Sequence, residues 1–180
     1  MEKKGFIYMK LIAIHEDEFV GIYEEMTKSF IEDEIRSFDD AYVLLELDSY
    51  NIYHIVIEEK RVGFITVWDL STCFFVEHFV IYEEYRNSGF GGKAIDIVNE
   101  KFKQVILEAE LPLSNISIRR LGFYNRHGYK VNDVEYIQPP YNKDKKEVPM
   151  HLLSYPDKIK NPKEIIKELH KIVYGVEDLC

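Results

Sequence analysis

The stretch that decides the fold lies at residues 86–94 and reads Arg86-Asn87-Ser88-Gly89-Phe90-Gly91-Gly92-Lys93-Ala94. It joins an apolar run typical of a strand to a segment whose apolar residues recur at helical spacing. Three glycines in four positions permit positive φ angles and let a ligand approach the backbone without meeting a Cβ atom. The helix that follows directs unpaired N–H groups and roughly half a positive charge at this turn. The turn therefore predicts a binding site for a diphosphate.

Two kinds of site use such a turn. Gly89, Gly91 and Ala94 fit the dinucleotide pattern G-x-G-x-x-G/A, and Glu108 or Glu110 lies about 20 residues further on, where that fold has its ribose-binding acid. In a dinucleotide fold, however, the first glycine follows its strand almost directly, whereas here the mostly polar residues 83–88 intervene. That fold also requires further alternation of strands and helices, and little of it follows the turn. The spacing argues against a dinucleotide site, but the motif alone leaves it open.

A second motif follows the glycine turn, about 30 residues on. The turn has the form Arg-x-x-Gly-x-Gly, and residues 121–129 contain Tyr124, Gly128 and Tyr129 in the pattern Tyr-x-x-x-Gly-aromatic. Together the two motifs resemble the GNAT superfamily of N-acetyltransferases, whose acyl-CoA loop has the signature Q/R-x-x-G-x-G/A. The resemblance implies an α/β fold of the α+β kind, with a mixed, mainly antiparallel twisted sheet flanked by helices. It also implies acetyl-CoA as co-substrate.

The same resemblance implies which residues hold acetyl-CoA. Main-chain groups of Phe79 and Ile81 carry the pantetheine arm, and N–H groups of the turn bind the pyrophosphate with added charge from Arg86. Ser117 stands where many members have an asparagine that contacts pantetheine. The predicted acetyl-CoA residues are Phe79, Ile81, Arg86, Asn87, Ser88, Gly89, Phe90, Gly91, Gly92 and Ser117.

Family members pass the acetyl group directly to an amine in a ternary complex, so neither a metal nor a covalent enzyme intermediate is expected. Tyr124 matches the tyrosine that protonates the departing CoA thiolate. Glu77 matches an acidic position of some members and is the predicted base, with Glu108 as its rival and Glu110 as a weaker one. Because adjacent strand residues face opposite sides, Glu77 and His78 are not expected to share a site.

The rest of the chain alternates between strand-like and helix-like segments. Strands are predicted at residues 9–14, 53–57, 62–68, 73–82, 105–110 and 148–154. Helices are predicted at 16–30, at 32–47, after Gly92, from Ser114 or Asn115 to Gly128, and from Asn161-Pro162 onward. The short gaps at 58–61 and 69–72 predict antiparallel hairpins, and the helical crossover after Gly92 predicts a parallel partner for the strand at 105–110.

The expected core faces of these helices follow from their apolar spacing. They comprise Phe19, Val20, Tyr23, Met26 and Phe30 in the first helix, Ile118 and Leu121 in the fourth, and Ile165, Ile166, Leu169, Ile172 and Val173 in the last.

Length and composition favour one domain. The 180 residues, 46% of them hydrophobic, predict a single domain over 1–180 with residues 157–180 as a C-terminal helical extension. That extension packs back on the domain or, as the less favoured role, forms a homodimer contact. Cys73, a buried small hydrophobe, and Cys180 offer neither a disulfide framework nor metal-ligand spacing.

Charge and hydropathy limit the classes of partner and the cellular location that are expected for this chain. A net charge of -9 without a long basic block argues against a nucleic-acid partner. No apolar run reaches the roughly 20 residues of a membrane span, and Met1–Tyr8 lacks the features of a signal peptide, so a cytoplasmic location is expected.

The expected acceptor is a small-molecule or peptide amine, and the sequence does not identify which one. Residues 136–141 either line an amine site or form a packed surface loop. A different class of function also survives, namely an acyl-CoA-binding sensor without turnover in which Tyr124 and Glu77 are idle.

Overall fold

The computed structural model describes residues 8–176, which form one eight-stranded sheet with helices on both faces. The strands are β1 (Met9–Ala13), β2 (Tyr50–Ile57), β3 (Lys60–Asp69), β4 (Phe74–Ile81), β5 (Val105–Glu110), β6 (Lys130–Val131), β7 (Tyr136–Gln138) and β8 (Val148–Tyr155). The α-helices are α1 (Phe19–Ser29), α2 (Phe38–Tyr42), α3 (Phe90–Phe102), α4 (Asn115–Arg126) and α5 (Pro162–Tyr174). Cys180 and residues 1–7, to which two of the sequence predictions refer, lie outside the described residues.

The sheet has the strand order β1-β2-β3-β4-β5-β8-β6, and β7 also pairs with β8. Strands β1 to β4 form an antiparallel meander, as the short gaps predict. The α3 crossover brings β5 parallel to β4, and β8 returns antiparallel to β5. The predicted fold class, a mixed and mainly antiparallel sheet flanked by helices with an additional C-terminal helix, is confirmed.

The core consists of two layers, one on each face of the sheet. On one face α1 and α5 pack through residues such as Phe19 and Leu169 against Trp68 and Phe75. On the other face α3 and α4 pack against the inner strands. The apolar side of α5 is thus buried against the chain's own core.

Three expected core positions are on the surface. Val20 and Ile118 are each 53% exposed and Ile172 is 39% exposed. Their places in the core are taken by neighbouring residues, namely Ile22 in α1, Tyr124 in α4 and Tyr174 in α5. Apolar spacing defines a helical face only to within about one residue, and contacts with the sheet decide which stripe is buried.

The predicted helix at 32–47 forms only in part and is interrupted at residues 35–37. The segment contains a 3-10 turn at Glu32–Glu34, then α2, then a second 3-10 turn at Val43–Glu46. Ile35 is extended, and the Ser37 hydroxyl caps α2 by accepting the N–H of Asp40. Arg36 therefore lies in a non-helical break, from which its side chain reaches β4.

The later helices begin and end largely where the sequence indicates. Ser114 caps α4, and Gly128 after it has a left-handed φ of 88°. Asn161 precedes Pro162 at the start of α5, but its side chain makes no capping hydrogen bond. Within residues 8–176, no helix has both the length and the apolar composition needed to cross a bilayer.

Candidate active site

Strands β4 and β5 separate in the middle of the sheet. They pair only over Phe74–Val76 and Val105–Leu107, after which Glu77 on β4 and Glu108 on β5 lie on either side of a gap. A cavity of about 410 Å³ fills this gap and is closed on one side by α4. The split leaves main-chain groups of β4 without a strand partner on that side.

The free edge of β4 belongs to Phe79 and Ile81. The N–H of Tyr82 donates to Val62 on β3, so the alternating residues Ile81 and Phe79 direct their main-chain groups at the gap. The carbonyl of Ile81 accepts the Nε of Arg86 at 3.0 Å. The N–H groups of both residues therefore face the gap without a strand partner, and Arg86 lies beside them.

The glycine turn leads from this edge into α3. Asn87 and Gly89 have left-handed φ angles of 61° and 76°, and the Ser88 hydroxyl donates to the carbonyl of Tyr85 at 2.7 Å. None of the N–H groups of residues 87–92 has a hydrogen-bond acceptor within the described part of the chain. Six unpaired amides at the start of a 13-residue helix form a cradle for an anion.

The other two glycines of the turn have different reasons to lack a side chain. A Cβ on Gly91 would lie 3.8 Å from Ile81 and 3.8 Å from Phe123, in the passage between the cradle and the gap. A Cβ on Gly92 would lie 3.0 Å from the ring of His127, so a side chain there would displace that ring at the end of α4. The free amides and the open passage at Gly91 fit the diphosphate and extended arm of an acyl-CoA.

Tyr124 lies on α4 and lines the cavity between the strands. It is 8% exposed, and its ring packs against Phe123 and Tyr129. Within residues 8–176 its hydroxyl has no hydrogen-bond partner. Burial raises its pKa to about 12, so the phenol keeps its proton at neutral pH. The phenol can therefore donate a proton to a group in this cavity.

Glu77 is held by an ion pair, which the sequence did not reveal. Its Oε1 accepts Nη1 of Arg36 at 2.5 Å and the hydroxyl of Tyr141 at 3.0 Å, and its Oε2 accepts Nε1 of Trp68 at 2.9 Å. Burial raises the pKa of this carboxyl, but Arg36 and the donated hydrogen bonds outweigh burial and hold the pKa below its ordinary value. A carboxylate so paired is a poor proton acceptor, which argues against the predicted role of Glu77 as base.

The expectation that Glu77 and His78 face opposite sides is wrong. The register between β3 and β4 passes from Thr66–His78 to Val67–Val76, so Glu77 is the extra residue of a β-bulge. The Oε2 of Glu77 and Nδ1 of His78 are 3.8 Å apart on one face of the strand. The imidazole is itself occupied, because Nδ1 lies 3.0 Å from the Thr66 hydroxyl.

We expect Glu77→Gln to act mainly on stability. The change leaves the buried Arg36 guanidinium without a counter-charge, and breaking a buried ion pair costs about 3 kcal/mol of unfolding free energy. Glu110→Gln is the matched control, because the Glu110–Arg120 pair is exposed and contributes about 1 kcal/mol or less. Urea unfolding at pH 7 measures both. A Glu77→Gln protein of unchanged stability whose kcat falls a hundredfold would restore Glu77 as the base.

Glu108 faces the same gap from β5 and has different surroundings. Its Oε1 accepts the hydroxyls of Tyr136 and Tyr174, the latter at 2.9 Å, and its Oε2 accepts Tyr174 at 2.7 Å. Burial raises its pKa to about 7, although the two phenols act in the opposite direction. A carboxyl with a pKa near 7 is well suited to accept a proton at neutral pH. These surroundings therefore favour Glu108, the rival of Glu77 in the sequence analysis, as the base.

The roles of four residues of this site were missed by sequence reasoning. Arg36 precedes α2, Tyr136 lies on β7, Tyr141 follows β7, and Tyr174 ends α5. The separations from their carboxylate partners run from 28 to 66 residues. A buried carboxylate needs a partner, which was the available signal, but nothing local says which arginine or tyrosine supplies it.

The predicted contact of Ser117 with pantetheine finds no support in the geometry. The Ser117 hydroxyl donates to the carbonyl of Ser114 and accepts the N–H of Ser114, which closes a capping box. Ser117 does not line the cavity. Its contact with pantetheine stays a prediction.

Comparison with known proteins gives the family. Residues 48–131 match the sequence profile of the acetyltransferase (GNAT) domain. The structure also resembles a provisionally named GNAT-family acetyltransferase from Bacteroides thetaiotaomicron, with a TM-score of 0.87 and 30% identity over 95% of this chain and 100% of that one. The chain belongs to the GNAT family of acetyltransferases. Members of this family transfer acyl groups from CoA, which agrees with an amide cradle beside an open strand edge.

Two other relatives bear on the GNAT assignment. YjbC of Bacillus subtilis (strain 168), also provisionally named as an acetyltransferase, is 29% identical over 111 residues, which span 60% of this chain and 56% of YjbC. A chimera of the spermidine N-acetyltransferase SpeG from Vibrio cholerae and hSSAT has a TM-score of 0.62 at 10% identity, over 81% of this chain and 93% of that one. At that identity the GNAT fold alone is shared, so the acceptor must be argued from this chain's own cavity.

Proposed function

We propose that this GNAT acetyltransferase moves the acetyl group of acetyl-CoA directly to a primary amine in a ternary complex, with Glu108 as base and Tyr124 as acid. The observation that carries the proposal is that both side chains line one cavity at the β4–β5 split, beside the amide cradle. One group is a carboxyl with a pKa near 7 and the other a phenol that keeps its proton. They are the base and the acid that transfer to an amine requires.

The donor side of the cavity fits acetyl-CoA through main-chain groups. The unpaired amides of residues 87–92 would hold the diphosphate, with charge from Arg86, and the free edge at Phe79 and Ile81 would hold the pantetheine arm. When bound, acetyl-CoA supplies the thioester carbonyl that the amine attacks.

The protons are moved by this chain's own residues. Glu108 takes a proton from the acceptor ammonium, directly or through a water, and frees the nitrogen lone pair. As the carbon–nitrogen bond forms and the carbon–sulfur bond breaks, Tyr124 gives its proton to the sulfur. The nitrogen is positively charged after the attack and gives its second proton to the Tyr124 phenolate through a water. Glu108 releases its proton to solvent, so the net products are the amide, the free thiol and one proton.

The acceptor side of the cavity is acidic. A recess of about 60 Å³ continues past Glu108 and is lined by Glu34, Glu110 and Tyr141 among others. Burial and the nearby Glu110 raise the pKa of Glu34, as expected where carboxyl groups crowd together. Arg120, the cation of this recess, is already paired with Glu110. These surroundings support a positively charged amine as the acceptor.

Release of free thiol from acetyl-CoA tests the proposal. The assay uses a panel of primary amines, namely diamines, amino acids and peptides with a free N-terminus, each beside its N,N-dimethyl analogue. We expect thiol release and acetylated product with at least one primary amine and none with its dimethyl partner. Tight CoA binding without turnover on any acceptor would make the protein a sensor. Saturable binding of NADH but not of CoA would instead support a dinucleotide site.

A further inference from the structure

The end of α5 reaches into the centre of the site. We infer that Tyr174 is a positioning residue for acetyl transfer, which holds the Glu108 carboxylate in its ionised form with one oxygen available to the acceptor. This inference rests on the proposed role of Glu108 as base. It makes the C-terminal helix part of the catalytic machinery in addition to a cover for the core.

Tyr174 contacts Glu108 directly through its hydroxyl group. Its hydroxyl lies 2.9 Å from Oε1 and 2.7 Å from Oε2, so it spans both oxygens of the carboxylate. Tyr136 donates to Oε1 alone. Among residues 8–176, Oε2 thus receives a hydrogen bond from Tyr174 alone and retains a free lone pair, which makes Oε2 the atom to accept the proton.

The position of Tyr174 is fixed by contacts on both sides of it. Val173 packs in the core, and its carbonyl accepts Nη2 of Arg36 at 2.5 Å. The helix then ends at Gly175, whose φ of 67° closes the last turn. Arg36 is the same residue that binds Glu77, so one guanidinium ties the end of α5 to β4.

The chemical effect of Tyr174 follows from the direction of its hydrogen bond. A phenol can donate to an ionised carboxylate, and that donation favours the charged form against the cost of burial. The other titratable or charged groups of the described residues that face Glu108 or its recess are Glu34, Arg36, Glu77, His78, Glu110, Arg120, Tyr136 and Tyr141. The neighbouring carboxylates oppose ionisation and the arginines favour it, and of all these groups only the two tyrosines donate to Glu108 directly.

Tyr174→Phe, studied in the full-length protein, tests the inference. The ring keeps its packing, and loss of one hydrogen bond to a charged group is worth about 1.5 kcal/mol, or about one pH unit. We expect the acidic limb of kcat/KM for the acceptor to move up by about one unit. Activity at pH 7 should then fall several-fold and recover at higher pH, with the KM for acetyl-CoA unchanged. Tyr136→Phe should move the same limb in the same direction.

Tyr129→Phe is the matched control. Tyr129 is also buried and loses a hydrogen bond, to Asn99 at 2.7 Å, but it does not contact Glu108. Its pH profile should coincide with that of the unmodified protein. A folded Tyr174→Phe protein whose profile also coincides would overturn the inference and leave Tyr174 a core residue. Wild-type activity in Glu108→Gln would instead remove the base itself, and with it the proposed function of this site.

Discussion

Replacing Glu108 by glutamine is expected to lower kcat by about 10²–10⁴-fold, the usual contribution of a general base. The amide keeps the shape of the side chain, and its one oxygen at the position of Oε1 can still accept the hydroxyls of Tyr136 and Tyr174, but the amide cannot take a proton. The KM for acetyl-CoA should change little, because the cradle lies on the other side of the gap. Steady-state kinetics with saturating acceptor measures the loss. A decrease below about tenfold would contradict the assignment.

Glu110→Gln is the comparison for this loss. Glu110 lies two residues after Glu108 on β5 and is paired with Arg120 near the surface. The kcat of Glu110→Gln should therefore fall less than tenfold. An equal loss of kcat in both variants would indicate that the charge of the recess matters and that no single base exists.

Glu108→Gln should also change how the stability of the protein depends on pH. Burial raises the pKa of Glu108 in the folded protein from 4.5 to about 7. The contribution of this carboxyl to the free energy of unfolding is fully present below about pH 4.5 and is lost as the pH rises through 7. Glu108→Gln no longer ionises, so its stability relative to the wild type should rise between pH 5 and pH 8. After allowance for partial exposure of the side chain, we expect the unfolding free energy of Glu108→Gln to gain roughly 2 kcal/mol relative to that of the wild type over this pH range.

Gly91→Val is expected to abolish acetyl-CoA binding, with the Kd rising at least about a hundredfold, equivalent to roughly 3 kcal/mol. The Cβ itself has ordinary contacts with Ile81 and Phe123, and the γ-methyl groups then occupy the passage between the cradle and the gap. Valine costs a helix less than glycine does, so the protein should fold. Calorimetric titration with CoA measures the Kd.

Gly21→Val is the matched control for this substitution. Gly21 occupies the first turn of α1 and is exposed, and a Cβ there would meet no atom of the described residues within 4 Å. The same side-chain change at this position should leave CoA affinity intact. Unchanged affinity in a folded Gly91→Val protein would mean that the diphosphate does not lie at the glycine turn.

The glycine turn and its surroundings were predictable because they are local. Three glycines, the strand before them and the helix after them are contiguous, so the sequence defines the cradle without knowledge of distant segments. The parallel pairing of β5 followed from the handed crossover rule, and with it the neighbourhood of Glu77 and Glu108. Tyr124 was found through its motif and lies in the cavity as implied.

The choice between the two carboxylates was not predictable, because it depends on distant partners. Arg36 lies 41 residues before Glu77, in a segment whose helical periodicity was misleading. Tyr174 lies 66 residues after Glu108, at the end of a helix whose sequence pattern indicated only a buried stripe. Glu77 is paired with the Arg36 guanidinium, whereas the hydrogen-bond donors to Glu108 among the described residues are two phenols. The pKa values of the two carboxylates diverge for that reason, and no pattern in β4 or β5 records it.

The β-bulge of β4 has a consequence for any shortened or redesigned version of this strand. Removing Glu77 would leave Val76 paired with Val67 and His78 paired with Thr66, so Phe79 would stay beside Phe123 of α4 and Val80 would stay in the opposite layer. The strand would keep its register and lose only the carboxylate that pairs with Arg36. The inserted residue therefore adds a buried charge to the strand without changing which main-chain groups face the gap.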